Sequence, residues 1–222
     1  LLADMTLTDD LYAGGAPIRW QRQQYVLMPE LAVGRLVESP TEIEAAVGQF
    51  LAEDGVVTVE RSLAAGWDFM ADGIEAVDAV LAEAGLVANR RVLYSGSNWS
   101  ARQLDELLSM GRLELLAFGV HASHAVYETP AGDTVRAEAV AQRMKDLRGT
   151  LCLAMACHAG LGVPDRGPDN QAELDFAQAW LGRGANYISS LGWAYGMHRH
   201  VGYQEELLAR TAAALLDGGG AA

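Results

Sequence analysis

LELLAFGV (113–120) running into His121-Ala-Ser-His124, and TLCLAMA (150–156) running into Cys157-His158-Ala159-Gly160, decide how this chain folds. Each is a short, almost wholly apolar run, the length of a strand buried on both faces rather than of a helix. A single helical pattern, around Val135 to Leu147, separates them. Strand, helix, strand with apolar strands folds as a right-handed crossover onto a parallel sheet. The two runs are therefore expected as neighbours in one sheet, both ending at the same edge.

The same alternation extends outward in both directions. Ser39-Pro40-Thr41-Glu42 reads as a helix start: Ser39 caps, Pro40 takes the first helical position and Glu42 closes the capping box, with the helix reaching about Leu51. Gly55-Val-Val-Thr-Val59 is expected as a strand, and Ile74 to Ala84 as a helix with apolar residues at 74, 77, 80 and 81. Arg91-Val-Leu-Tyr94 reads as a strand, and Ser100 with Gln103 as a second capping box ahead of Leu104, Leu107 and Leu108. Asp169 or Asn170 is expected to cap a helix through Trp180, Ala185 to Leu191 to be the last strand, and Tyr203 to Leu216 the last helix. The pattern predicts an α/β fold: a three-layer α/β/α sandwich on a mostly parallel sheet. It is expected as a single domain over 1–222, with 1–24 as an approach segment and 218–222 as a flexible tail.

Composition narrows the function classes. Twenty-nine acidic against 16 basic side chains give a net charge of −13, the wrong sign for a phosphate backbone or an anionic membrane surface. Neither nucleic acid nor membrane is expected as a partner. Lys145 is the only lysine. The two cysteines, Cys152 and Cys157, form no disulfide framework, and their positions on a strand point them to opposite faces. No apolar stretch reaches the roughly 18 residues of a membrane span. The chain opens on Leu1-Leu2 without methionine and reads as a piece of something longer. With no signal peptide visible, a cytoplasmic location is favoured.

In open parallel sheets, sites form at the carboxyl ends of the strands. There the first run delivers His121, with His124 just beyond, and the second delivers Cys157. An imidazole beside a thiol is what a cysteine nucleophile needs near neutral pH. The small residues Ala122, Ala159 and Gly160 would let backbone N–H groups approach a developing oxyanion. Cys152, inside its apolar run, reads as core. The five histidines match no compact metal-ligand spacing, so no metal and no cofactor is expected, and His198-Arg199-His200 reads as a polar loop.

The chain resembles the gingipain-like cysteine peptidases, in the clan that also holds the caspases. The resemblance runs from LAVGRLVESPTEI (32–43) and GWDFMADG (66–73), through the strand ending at His121 and ACHAGLGVPD (156–165), to DFAQAWLGRGA (175–185) and SLGWAYG (190–196). The clan signature is an apolar strand ending in His and a small residue, then one ending in a small residue and Cys. Val120-His121-Ala122 and Ala156-Cys157 match it, with Ala122 where related enzymes usually carry Gly. The resemblance implies a caspase-like fold and a Cys–His dyad cleaving peptide bonds. Cys157 would be the nucleophile and His121 the general acid, with His124 the competing assignment. The N–H groups of Cys157 and Ala122 would hold the oxyanion. In gingipain-like enzymes the pocket for the residue before the cut comes from the loop after the second strand and the loop after the last. Those correspond here to Asp68 or Asp72 and to Trp193 with Tyr195.

An acid under an aromatic wall suits arginine or lysine, and Asp165 and Asp169 are further acids near the strand ends. The blander readings are that Asp72 caps a helix and that Trp193 is core. The global charge would steer basic peptides only within about 8 Å at physiological salt. The expected partners are a peptide or protein substrate and other domains of the same longer chain. Two other functions stay open: a non-catalytic regulatory or interaction module with a caspase-like fold, and thiol hydrolase or transferase chemistry on a non-peptide acyl substrate.

Overall fold

The computed structural model describes residues 12–19, 25–36, 39–96, 98–143, 146–162 and 174–217. The chain divides into two compact units, Leu1–Leu36 with Ala222, and Val37–Ala221. In the first, β1 (Pro17–Arg19) and β2 (Tyr25–Leu27) pair antiparallel, with Ile18 opposite Val26. The Ala13 carbonyl accepts from the N–H groups of Glu30 and Leu31.

The second unit holds every residue with candidate chemistry. Its elements in chain order are α1 (Pro40–Ala52), β3 (Ser62–Gly66), α2 (Ala71–Glu83), β4 (Arg91–Ser95), α3 (Ala101–Ser109) and β5 (Leu115–Val120). A small hairpin follows, β6 (Val126–Glu128) and β7 (Thr134–Arg136), then α4 (Ala137–Arg143), β8 (Leu151–Ala156), α5 (Phe176–Leu181), β9 (Asn186–Ser189) and α6 (Tyr203–Leu216). The five-stranded sheet runs β4-β3-β5-β8-β9, and every pair in it is parallel. Helices cover both faces, which makes the three-layer α/β/α sandwich the sequence predicts.

The layers follow from the two-residue period of a strand. Leu116, Phe118, Val120, Cys152, Ala154 and Ala156 face one way, onto α3, α4 and α5 with Leu104, Val140, Phe176 and Trp180. The alternate residues Leu115, Ala117, Leu151, Leu153 and Met155 face α2 and α6, with Ile74, Val77, Leu208 and Ala212. Phe118, Phe176 and Trp180 are essentially sealed from solvent, and burying side chains of this size contributes roughly 1.5–3 kcal/mol each. Both predicted capping boxes form. The hydroxyls of Ser39 and Ser100 accept from the N–H of Glu42 and Gln103, and those side chains reach back to the cap N–H. Among the described residues no helix is long and apolar enough to cross a membrane.

Four elements differ from the sequence reading. The strand expected at Gly55–Val59 lies instead at Ser62–Gly66. Val56 stays exposed, while Leu63, Ala64 and Ala65 are buried at the centre of the sheet. Strand propensity pointed to valines, whereas close helix packing selected alanine and glycine: a Cβ on Gly66 would lie 2.6 Å from Ile74 Cγ1. The helix expected from Val135 begins at Ala137 because Thr134–Arg136 pairs with Val126–Glu128. Thr129, Gly132 and Asp133 make the turn between them, with Gly132 at φ 84°. Ala71, not Ile74, opens α2, so Asp72 lies in its first turn and Met70 occupies the cap position. The helix through Trp180 is capped by Asp175, whose carboxylate accepts from Gln178 N–H at 2.8 Å. Asp169 and Asn170 lie outside the described residues, as do Asp165, Lys145 and the 218–222 tail.

Candidate active site

The sheet order reverses at β3. The chain steps from β3 to β4 on one side and then returns to β5 on the other. In open α/β sheets the crevice at such a reversal, beyond the strand carboxyl ends, is where ligands bind. His121 leaves β5 at that crevice, and Trp67, Asp68 and Phe69 leave β3 beside it. Trp67 N–H donates to Gly119 O at 3.0 Å, extending the β3–β5 pairing one residue past the strand.

One strand over, β8 pairs with β5 in a register that sets Val120 opposite Ala156. Parallel strands lie about 4.8 Å apart, so His121 and Cys157 leave the sheet as adjacent residues of adjacent strands. Val120 and Ala156 both face the α3–α5 layer, which turns the residues after them toward the α2/α6 layer. Cys157 packs against that layer, as does Phe69, and the His121 ring lies 4.6 Å from the Phe69 ring.

The thiol is half-buried and free. Its Sγ lies 3.5 Å from the Ala194 carbonyl and 3.4 Å from the Ala194 N–H, so both backbone groups of Ala194 engage it. Ala194 is buried between Trp193 and Tyr195, which are 65% and 70% exposed. The Gln204 side chain at the start of α6 secures the other edge of that segment: its Oε1 accepts from Tyr195 N–H at 2.6 Å, and its Nε2 donates to Trp193 O at 3.4 Å.

The turn after Cys157 is tight. His158 has φ 57°, a left-handed conformation that costs a non-glycine residue about 1–3 kcal/mol. Its N–H donates to Gly192 O at 2.8 Å, its Nδ1 lies 3.2 Å from Leu191 O, and its ring meets Trp193 edge-on at 4.8 Å. A Cβ on Gly160 would lie 2.9 Å from Ser189 O, so only glycine lets the turn rest against the end of β9.

Ala122 needs no glycine-like backbone, since it is not among the residues with positive φ. It forms an isolated bridge with Tyr127. That bridge uses the His121 carbonyl, accepting from Glu128 N–H, and the Ser123 N–H, donating to Val126 O. The Ala122 N–H stands outside both bonds. The same holds for the Cys157 N–H, since the bonds across the following turn begin at His158, Ala159, Gly160 and Leu161.

The remaining predicted residues separate. His124 is half-buried in the bend before β6, and its carbonyl accepts from Phe176 N–H at 2.8 Å. Phe176 belongs to the α3–α5 layer, across the sheet from Cys157. Asp68 is exposed, with Oδ1 accepting from Phe69 N–H at 2.8 Å. Asp72 Oδ1 accepts from Gly73 N–H at 3.1 Å, while its Oδ2 is buried with no hydrogen-bond partner among the described residues. GWDFMADG follows β3, which is first of the five strands in the chain and second across the sheet. Trp193 is exposed rather than core, and Arg199 of the His-Arg-His segment sits in an exposed turn at φ 72°.

Three features escaped the sequence reading. Trp67 and Phe69 both pack on the His121 ring, although the acids are what stand out in their stretch of sequence. Gln204 ties the loop over the thiol. Glu205 is fully buried at the start of α6, packed where a Cβ on Gly73 would lie 2.6 Å from its Cγ. Burial, with the Asp72 carboxylate nearby, holds the Glu205 carboxyl above its ordinary value. Glycine at 73 facing a helix start was the available signal. Among the described residues no three histidine, cysteine or acidic side chains converge as a metal-holding group.

No family model and no curated protein matches the sequence. A solved structure described as "Structure of Protease" is similar in fold, with a TM-score of 0.54 at 12% identity over 76% of this chain. The chain spans 38% of the length of that structure.

Proposed function

We propose that this chain is a cysteine peptidase domain of the gingipain-like, caspase-like kind, with Cys157 as nucleophile and His121 as general acid. The observation that carries the reading is the register between β5 and β8, which brings these two residues out of adjacent parallel strands on the same face. The likeness in fold to a solved protease supports the reaction class. His121 is favoured over His124 because its ring meets Phe69, on the layer against which Cys157 packs.

In this reading Cys157 passes its thiol proton to His121, and the thiolate attacks the scissile carbonyl carbon. The carbonyl becomes an oxyanion, received by the N–H groups of Cys157 and Ala122. As the oxyanion collapses, the carbon–nitrogen bond breaks and the imidazolium of His121 gives its proton to the leaving amine. A thioester with the acyl half of the substrate remains. Water then adds to it, giving its proton to His121, and the thiolate is released.

The substrate proposed is a peptide or protein cut after Arg or Lys. Asp68 is an exposed carboxylate just past β3, of the sign a guanidinium or ammonium group needs, and Trp193 and Tyr195 supply exposed aromatic surface beside the thiol. The domain is proposed to work beside others in a longer protein. A panel of fluorogenic peptides with Arg, Lys, Asp or Leu before the cut tests this. Arg and Lys are expected to lead by at least about 10²-fold, and Asp68→Asn is expected to reduce that margin. A preference for Asp or Leu overturns the specificity.

A second reading, a non-catalytic module with the same fold, draws on one observation: the thiol is engaged by the Ala194 backbone. Graded alkylating agents separate the two. A nucleophilic Cys157 outpaces a free thiol peptide at pH 7, whereas a module cysteine reacts no faster.

A further inference from the structure

Nucleophile–base pairs usually rely on a third group that orients the base by a hydrogen bond. Among the described residues, no side chain hydrogen-bonds the His121 imidazole, and the residue is exposed. What touches the ring is aromatic. Trp67 meets it edge-on, with centroids 4.8 Å apart and planes at 75°. Phe69 lies beside it at 4.6 Å and 30°, and the Trp67 and Phe69 rings are 6.2 Å from each other, so the two hold the imidazole from adjacent sides.

Both aromatics are themselves held. The Trp67 indole N–H donates to Glu128 O at 2.9 Å, and Glu128 N–H donates to His121 O at 2.9 Å. Glu128 therefore fastens the histidine backbone and the indole to one residue of β6, through its N–H and its carbonyl. Phe69 is backed by Gly196, where a Cβ would lie 2.8 Å from Phe69 O and 3.1 Å from its ring. The glycine lets the loop from β9 close against the phenylalanine.

Building on the reading of His121 as general acid, we propose that Trp67 and Phe69 are positioning residues that clamp the His121 imidazole in place of a hydrogen-bonded orienting group. Paired rings favour particular relative orientations, which narrows the orientations that an exposed histidine samples. The Phe69 ring, tilted 30° to the imidazole at 4.6 Å, lies within the roughly 6 Å at which an aromatic face attracts a cation. The clamp acts on the leaving-group step, so its loss reduces kcat rather than substrate binding.

The test compares Phe69→Leu, Trp67→Leu and the conservative Phe69→Tyr and Trp67→Phe, with two readouts. The first is kinetic: on an arginyl fluorogenic peptide, each leucine variant is expected to lose about 10–100-fold in kcat with KM within about twofold. Phe69→Tyr and Trp67→Phe are expected to recover most of that loss. The second needs no turnover: carbon-13 relaxation of the His121 ring should report a rigid imidazole in the wild type and the conservative variants, and a mobile one in the leucine variants.

Unchanged ring order in Phe69→Leu and Trp67→Leu overturns the clamp, whatever the enzyme cleaves. Cleavage that survives Cys157→Ala instead overturns the peptidase reading and leaves the relaxation result to decide the clamp. Should a leucine variant fail to fold, its conservative partner still decides. A mobile ring in the wild type, or a raised KM with unchanged kcat in Phe69→Tyr and Trp67→Phe, counts against positioning.

Discussion

Cys152 and Cys157 lie five residues apart on one run of chain and meet opposite environments. Cys152 is fully buried, facing the α3–α5 layer, and burial pushes its thiol well above the ordinary cysteine range. Cys157 lies one residue past the strand, half-buried, with the two backbone groups of Ala194 at its sulfur. The same side chain is core filling in the strand and, in the proposed reading, the nucleophile at its end. Position relative to the sheet edge separates them, not local sequence, since both follow apolar residues.

The sharpest way to break this contrast is to exchange each for alanine. Cys157→Ala is expected to lower cleavage of arginyl peptides by at least about 10³-fold, while Cys152→Ala leaves kcat/KM within about twofold. Equal losses would mean that the strand end has no special chemistry. The two histidines sharpen it next. His121→Ala is expected to cost about 10²–10⁴-fold in kcat, the range for a general acid. His124→Ala, across the sheet, should leave turnover within a few-fold; the reverse order moves the site to the other layer.

Stability should show the opposite ranking of the cysteines. Cys152→Ala opens space in a sealed layer and is expected to cost about 1–2 kcal/mol in urea unfolding, with Cys157→Ala nearer 0.5. In the native state, iodoacetamide followed by mass analysis should label Cys157 alone, Cys152 joining only after denaturation.

The smallest effect extends the comparison to carboxylates. Glu205 is buried and held above its ordinary value near 4.5, first by burial and then by Asp72, with His200 acting in the opposite direction. A raised folded-state value means the neutral form is favoured on folding. Its contribution to stability is complete below the unfolded value and is lost as pH rises through the folded one. Glu205→Gln should therefore raise Tm relative to wild type by about 2–4 °C at pH 8 and by nothing measurable at pH 4. A difference independent of pH removes ionisation as its cause.

Much of this architecture was legible in the chain. Ser39 with Glu42 and Ser100 with Gln103 announce their helices through local hydrogen bonds, which need no tertiary partner, and α6 has the bounds its periodicity predicts. β5 and β8 were equally readable, because a strand buried on both faces has one composition. β3 lies elsewhere than expected because its small residues answer to packing against Ile74 of α2, which strand propensity does not encode. The site divides in the same way. His121 and Cys157 declare themselves as the residues that end apolar strands. Trp67, Phe69, Ala194 and Gln204 act through contacts that only the fold creates, and side-chain chemistry alone directs attention to Asp68 instead.

Gln204 has a mechanical consequence. Its amide grips the backbone on both sides of Ala194, and Ala194 in turn touches the sulfur, so the first turn of α6 and the thiol form the two ends of one short linkage. A helix advances about 100° per residue. Turning α6 by a single position would swing that amide away from Trp193 and Tyr195 and release the segment over Cys157. The first turn of α6 is thus joined to the segment over the sulfur through the Gln204 side chain.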